Sequence, residues 1–155
     1  MGRLGDLLHN YVLTVALISW LSAQVLKTLL TFIKQKKLNL ERMVGAGGMP
    51  SAHTATVVSL VIAISRAPGC GLSSPEFAVA FVLAAVVMYD AMGVRRAAGE
   101  QAKVINQIVE IQNSDDNEDN NIEGKPLKEF LGHTPLEVLG GALLGILIAM
   151  IIPVS

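Results

Sequence analysis

The sequence is poor in charged residues, aromatic residues and cysteine, and each shortage excludes a class of protein. Charged residues make up only 16% of the 155 residues, against roughly 25% in an average soluble domain. The formal net charge is -1, so the chain lacks a large basic surface and we exclude nucleic acid as a partner. The one cysteine, Cys70, excludes an intrachain disulfide. With 52% hydrophobic residues, residues 1–155 are expected to form a single membrane domain.

Long apolar runs take the place of the missing charge. Four runs are present, at residues 11–33, 51–65, 77–93 and 137–154. The first is long enough to cross a bilayer core, which takes roughly 20 helical residues, while the second is short enough for a tilted or partly buried helix. We therefore predict an all-α, polytopic membrane helical bundle with about four membrane helices, surrounded by membrane lipid.

The chain changes character between the third and fourth runs. Residues 94–112 place apolar side chains at helical spacing among Arg, Glu, Lys and Gln, which predicts an amphipathic helix at the interface or against the bundle. Residues 113–124, NSDDNEDNNIEG, are acidic and rich in amides, and we predict a flexible, solvated loop. A calcium loop would need Gly and Glu where Asn120 and Pro126 stand, so we predict no metal site.

Basic residues mark the cytoplasmic side of a membrane protein. Here only Arg3 and Arg66 lie on one predicted side, and all others near the runs lie on the opposite side. The clustered residues are Lys34, Lys36, Lys37, Arg42, Arg95, Arg96, Lys103, Lys125 and Lys128. This distribution predicts that the termini lie outside and that the GGMPSAH, DAMGVRR and LGHTPLE turns share the cytoplasmic face.

Two of the three histidines lie in these turns, each at the start of a predicted helix. His53 follows Ser51, which could cap its helix, and a helix N-terminus attracts an anion. His133 is followed four residues later by Glu137, a spacing that places the carboxylate one turn away and could hold the imidazole in one tautomer. Each pattern taken alone is also typical of ordinary helix capping.

Further charged positions could face the same region. Lys27 falls inside the first apolar run, where a lysine either faces a polar cavity or extends to the interface. Asp90 is followed closely by Arg95 and Arg96, and a simple ion pair would also account for them. Two imidazoles, a carboxylate and several cations on one face together describe a phosphate site. In such a site, cations and helix N-termini hold the oxyanion, while the imidazoles serve as nucleophile and acid.

Three motifs also resemble those of a known family. GGMPSAHTA resembles the P-S-G-H motif of type 2 phosphatidic acid phosphatases and vanadium haloperoxidases, and GHTPLEVLGGALLG resembles their last motif, a histidine followed four residues later by Asp. With YDAMGVRRAAGEQA between them, the pattern is most similar to the small divergent PAP2 membrane proteins. The resemblance covers nearly the whole chain and implies a reduced version of the type 2 phosphatidic acid phosphatase core.

The resemblance implies a role for each matching position. His133 would be the nucleophile that forms a phosphohistidine, Glu137 would orient it, and His53 would protonate the leaving alkoxide. The remaining positions would bind phosphate oxygens, and they are Lys27, Arg42, Ser51, Ala52 through its backbone, Arg95 and Arg96. No metal and no cofactor are expected.

The sequence departs from the family pattern at four places. Ala52 stands for Gly, Glu137 for Asp and Met43 for the proline of the first motif. Leu127 stands where the third motif has an arginine, so Arg95, Arg96 or Lys128 would have to substitute for it, and we favour Arg95 and Arg96.

These features predict an integral-membrane phosphatase that hydrolyses a lipid phosphate or diphosphate through a phosphohistidine. The alternative, from another class, is a catalytically silent membrane protein that binds lipid phosphate or anions. A vanadate-using haloperoxidase is a third and weaker alternative, since those enzymes are soluble and larger. Because the chain has fewer membrane helices than the six-helix family core, a homodimer could complete the bundle.

Overall fold

The computed structural model describes residues 9–35, 48–114, 122, 124–129 and 131–154, and over these residues it is helical, with no strand. Within these described residues five helices follow one another: α1 (Tyr11–Gln35), α2 (Ala52–Arg66), α3 (Pro75–Met92), α4 (Val94–Ser114) and α5 (Pro135–Ile151). The all-α fold class predicted from the apolar runs is confirmed.

The helices differ in their ability to cross a membrane. Two helical stretches are long and apolar enough, Tyr11–Ile33 within α1 and Pro75–Ser114, which α3 and α4 form together. The helices α2 and α5 are apolar but have only 15 and 17 residues, fewer than the roughly 20 that a bilayer core takes. The short second run is therefore best understood from its packing.

Helix α2 lies at the centre of the bundle, where it contacts α1, α3 and α5. Ala55 clusters with Ala23 of α1, and Val57 clusters with Ala80 of α3. The Ser19 hydroxyl of α1 donates to the carbonyl oxygen of Ala55 at 3.1 Å. Small residues and hydroxyl bonds of this kind hold helices together in lipid, where the apolar surroundings remove the usual hydrophobic drive.

Two glycines bring α5 into backbone contact with α2. A Cβ added at Gly141 would collide with the carbonyl oxygen of Ser51, and one added at Gly145 would collide with that of Ala55. The two glycines form a G-x-x-x-G pair, a spacing typical of close helix packing in membranes. This packing places the first turns of α2 and α5 side by side.

Arg66 joins α2 and α5 at the other end of the bundle. Its guanidinium donates to the carbonyl oxygens of Ala149 and Ile152 at the end of α5. The last carbonyls of a helix have no partner within the helix, so the arginine satisfies them. Because α2 rises about 1.5 Å per residue, this contact lies roughly 20 Å from the start of α2.

Large apolar side chains cover the outer surface of α3. Its exposed residues are Val79, Phe81, Val82, Leu83, Val86 and Tyr89, whereas the buried ones are small alanines. Such an outer surface suits contact with lipid rather than water. Exposed apolar side chains of this kind are what the high hydrophobic content of the sequence predicts.

The predicted amphipathic helix is α4, which extends two residues further than expected, to Ser114. Asn113 and Ser114 of the predicted acidic loop therefore belong to the helix, and Ile122 is bonded to Asn113. Residues 115–121 and 123 of that loop lie outside the described residues, so its flexibility remains a prediction. The same holds for its lack of a metal site.

Candidate functional site

The starts of α2 and α5 are bonded to each other. The backbone N–H of Ser51, the N-cap of α2, donates at 3.0 Å to the carbonyl oxygen of Glu137 in the first turn of α5. Each helix start carries backbone N–H groups without an intrahelical partner and a partial positive charge. Two such ends therefore meet at one end of the bundle.

At the start of α2, the cap is buried and the histidine is exposed. Ser51 Oγ accepts from the backbone N–H and the hydroxyl of Thr54, at 3.3 and 3.0 Å. The predicted N-cap is confirmed, and Ser51 is fully buried, whereas His53 is exposed. Because both bonds use Ser51 Oγ as the acceptor, its O–H proton and backbone N–H groups such as that of Ala52 are the donors that an anion at this turn would meet.

At the start of α5, one carboxylate holds both the helix and the histidine. Thr134 Oγ1 accepts from the backbone N–H of Glu137, and Glu137 Oε2 accepts from the backbone N–H of Thr134 at 2.9 Å, a capping box. The same carboxylate oxygen lies 3.3 Å from Nδ1 of His133, which is buried. The His–Glu contact that the spacing predicts is therefore present.

The backbone of His133 is positioned by the junction of α3 and α4. Its N–H donates to the carbonyl oxygen of Ala91 in the last turn of α3 at 2.9 Å. The preceding Gly132 has φ +85°, and a Cβ there would collide with the backbone of Arg95 and Arg96. Sequence reasoning missed this contact, although a glycine directly before the histidine was a signal for it.

The two imidazoles lie together. The ring centroids of His53 and His133 are 6.2 Å apart, and the ring planes are inclined by 57°. Nε2 of His133 is buried and has no hydrogen-bond partner in the part of the chain that the structure describes. With Nδ1 next to Glu137, Nε2 is the atom left to react.

Two cations reach the same region. Lys27 of α1 is 4% exposed, and its methylene groups lie against Gly48, whose lack of a Cβ leaves room for them. Arg95 forms an ion pair with Asp90 at 2.5 Å. The charges of Lys27 and Arg95 both act on both imidazoles. The buried position of Lys27 favours the polar-region alternative over extension to the interface.

The surroundings of His133 favour its neutral form. Burial lowers the pKa of His133 below its ordinary value of 6.5, and the positive charges of Lys27 and Arg95 act in the same direction. The hydrogen bond and charge of Glu137 oppose this shift without cancelling it. A neutral ring with Nδ1 on a carboxylate has its lone pair on Nε2.

Not every predicted residue belongs to this group. Arg96 pairs with Glu100 at 3.2 Å on the exposed surface of α4, so Arg95 is the arginine whose charge acts on the histidines. Arg42 lies outside the described residues. The structure brings together His53, His133, Glu137, Lys27 and Arg95, beside Ser51 and Ala52.

Comparison with known proteins agrees with the resemblance. The model of the Divergent PAP2 family matches residues 8–148. The "Uncharacterized membrane protein YuiD" of Bacillus subtilis (strain 168) is 41% identical over 154 residues, which cover 95% of this chain and 96% of that protein. No solved structure matches. Since the family match spans both histidine turns and nearly the whole chain, the chain belongs to the divergent PAP2 family and is a membrane protein.

Proposed function

We propose that this protein is an integral-membrane phosphatase that hydrolyses a lipid phosphate or diphosphate through a phosphohistidine. The observation that carries the proposal is the state of His133. Its ring is buried, Nδ1 lies against Glu137, and Nε2 has no partner among the described residues. A neutral imidazole held in this way is a nucleophile aimed at one place.

In the first step, Nε2 of His133 attacks phosphorus. An N–P bond forms while the P–O bond to the leaving alkoxide breaks. The His53 ring takes up a proton once the negatively charged phosphate is bound beside it. It gives this proton to the alkoxide oxygen, so the product leaves as an alcohol, or as a phosphate monoester from a diphosphate. The ring separation of 6.2 Å leaves the two imidazoles within reach of one phosphoryl group.

In the second step, water replaces the histidine. The neutral His53 ring accepts a proton from the attacking water, the N–P bond breaks, and its electron pair returns to Nε2 of His133. Inorganic phosphate then leaves. Lys27, Arg95 and the start of α2 offset the negative charge on the phosphate oxygens in both steps.

The apolar outer surface supports a lipid substrate. Val86 and Tyr89 of α3 are exposed close to Asp90 and Ala91, at the end of α3 that holds His133. A lipid could keep its apolar tail along α3 while its phosphate meets the imidazoles. A water-soluble phosphate would gain nothing from that surface.

The proposed topology is that of a multi-pass membrane protein with both histidine turns on the cytoplasmic side, where the basic residues cluster. The native Cys70, which is exposed in the α2–α3 loop, should then react with an impermeant thiol reagent on intact cells. In a Cys70→Ser background, Met49→Cys should not react until the cells are opened. Strong labelling of this second variant from outside would reverse the orientation.

The central test is phosphate release. Purified protein is incubated with a panel of lipid phosphates and diphosphates, and released phosphate is measured together with acid-labile phosphoenzyme. We expect both for at least one lipid. Phosphoenzyme that persists in the His133→Ala variant would rule out the proposed intermediate.

A catalytically silent phosphate binder is the second candidate. One observation favours it, because Arg95 is already paired with Asp90. A binder tolerates the loss of either imidazole, whereas an enzyme does not. Wild-type protein that binds lipid phosphates without releasing phosphate from any of them would establish the binder.

A further inference from the structure

We propose that Asn106 of α4 is a positioning residue for His133. It clamps the segment that leads into His133 against α4, and thereby sets where the imidazole lies. This return segment comprises residues 122, 124–129 and 131. The inference rests on the proposed function for its catalytic consequence, but the clamp itself can be measured without turnover.

Asn106 bonds to both backbone groups of one residue. Its Oδ1 accepts from the N–H of Leu127, and its Nδ2 donates to the carbonyl oxygen of Leu127, each at 2.9 Å. The same Nδ2 donates to the carboxylate of Glu129 at 2.9 Å. A side-chain amide has the donors and the acceptor that these three bonds require. It therefore satisfies backbone groups of Leu127 that would otherwise need another partner, such as a neighbouring strand.

Asn106 is the middle of three contacts on one face of α4. Gly99, Asn106 and Asn113 are seven residues apart, which is close to two helical turns. Asn113 bonds to both backbone groups of Ile122, with Oδ1 accepting at 2.9 Å and Nδ2 donating at 3.2 Å. Gly99 has no side chain, and the backbone of Leu131 rests on it. The return segment therefore follows this face of α4 toward the histidine.

The last part of the path is backbone contact. Gly132 lies against the backbone of Arg96, and the N–H of His133 donates to the carbonyl oxygen of Ala91. Only four residues separate Leu127 from Gly132. Any shift of the clamped residue is therefore passed to the turn that carries the imidazole.

The bundle does not depend on this clamp. The helix contacts that hold α1, α2, α3 and α5 together run among those four helices, and α4 joins them through α3. Loss of the Asn106 amide should therefore loosen the return segment and leave the bundle folded. This separation makes a positioning role measurable.

The test compares Asn106→Ala with Gln107→Ala, a control at the exposed neighbouring position. Hydrogen exchange in detergent is followed for a peptide covering residues 124–133 and for the helices. In Asn106→Ala we expect the Leu127 amide to exchange about tenfold faster, since the hydrogen bonds from Asn106 that protect it are lost. Exchange within α1, α2 and α5 should stay at the wild-type rate.

Two further measurements separate positioning from local structure. In ring-labelled protein, the His133 titration should move up toward its ordinary range in Asn106→Ala, because the ring becomes less buried. The groups that face this ring, Glu137, Lys27, Arg95 and the His53 imidazole, are unchanged. With an active lipid substrate, kcat should fall about tenfold while KM changes by less than about twofold, because attack is impaired more than phosphate binding.

A reversal of the donor and acceptor provides a rescue. N106D keeps the acceptor for the Leu127 N–H but faces Glu129 with a second carboxylate, so it should resemble the alanine variant. The double variant N106D/E129Q restores a donor opposite an acceptor and should regain part of the wild-type His133 titration and kcat. If the double variant does not improve on N106D, the Asn106–Glu129 bond does not contribute to the position of His133.

The outcomes separate this inference from the proposed function. Unchanged exchange at Leu127 in Asn106→Ala would show that Asn106 is no clamp. Faster exchange with a wild-type His133 titration and wild-type kcat would show a clamp that positions nothing. If wild type releases no phosphate, the phosphatase proposal fails, and the titration alone decides whether Asn106 positions His133.

Discussion

The turns that begin α2 and α5 have the same plan but hold their imidazoles in opposite ways. In both, a hydroxyl side chain, Ser51 or Thr134, accepts from a backbone N–H three residues on. His53 follows its cap and is exposed, whereas His133 precedes its cap and is buried. A histidine before the cap lies four residues from Glu137 and can bond to it, while one inside the first turn has no such neighbour.

The same comparison explains the charge of the two helix ends. The first turn of α5 contains Glu137, whereas the first turn of α2 contains no acidic residue. The carboxylate offsets the partial positive charge of α5, so α2 is the helix end left to attract an anion. We infer that α5 supplies the fixed nucleophile and that α2 supplies the phosphate-facing end and a freer proton donor.

The largest expected effect comes from the buried ring. His133→Ala removes the atom that attacks phosphorus, so turnover and phosphoenzyme should both fall below detection. The matched control is His9→Ala, because His9 is the third histidine and precedes Tyr11, which clusters with Ala149 at the far end of α5. If turnover survives in His133→Ala, His133 is not the nucleophile. Either His53 is then the nucleophile, or neither histidine has the role assigned to it.

The exposed ring should matter in a different way. His53→Ala removes the general acid, and such losses are typically about 10²–10⁴-fold in rate. Phosphoenzyme should still form, but slowly. A substrate with an aryl leaving group needs little protonation, so it should recover most of the rate. Equal losses on alkyl and aryl phosphates would contradict the role of His53 as an acid.

Glu137→Gln tests what holds the buried ring. The ring keeps a hydrogen-bond partner but loses a charged one, a difference of about 1–1.5 kcal/mol, which corresponds to roughly a tenfold loss of rate. The charge and hydrogen bond of Glu137 raise the pKa of His133 against the effect of burial, so the variant should have a lower His133 pKa.

The pH profile checks this direction. Attack needs the neutral ring, so kcat/KM should fall as pH drops through the His133 pKa, below the ordinary value of 6.5. In Glu137→Gln this acid limb should move to still lower pH. A limb that moves up, or that stays in place while the rate falls tenfold, would mean that Glu137 acts through the helix start instead of through the ring.

Local patterns in the sequence are sufficient to predict much of this arrangement. The caps at Ser51 and Thr134 and the contact of His133 with Glu137 depend on residues within about one turn. Spacing therefore predicts them. The assembly of four apolar runs into a helical bundle likewise follows from run length and composition.

Contacts between distant segments could not be predicted in this way. The burial of Ser51 depends on α5 approaching at Gly141, which is far from Ser51 in the sequence. The choice of Arg95 over Arg96 depends on which side of α4 turns toward the imidazoles. The clamp at Asn106 pairs positions 21 residues apart, and only its repeat with Gly99 and Asn113 is visible in the sequence.

The smallest expected effects come from the two caps, and they test whether the hydroxyls take part in the chemistry. Ser51→Ala and Thr134→Ala should each lower the free energy of unfolding by about 1 kcal/mol, the typical value of an N-cap, measured by denaturant titration in detergent. The backbone N–H groups of both turns remain, including the Thr134 N–H that holds Glu137. Turnover should therefore stay within about twofold of wild type in both variants, since less than 0.5 kcal/mol of barrier is at stake. A tenfold loss in Ser51→Ala alone, with stability as expected, would show that this hydroxyl, which accepts from Thr54, also donates to a phosphate oxygen.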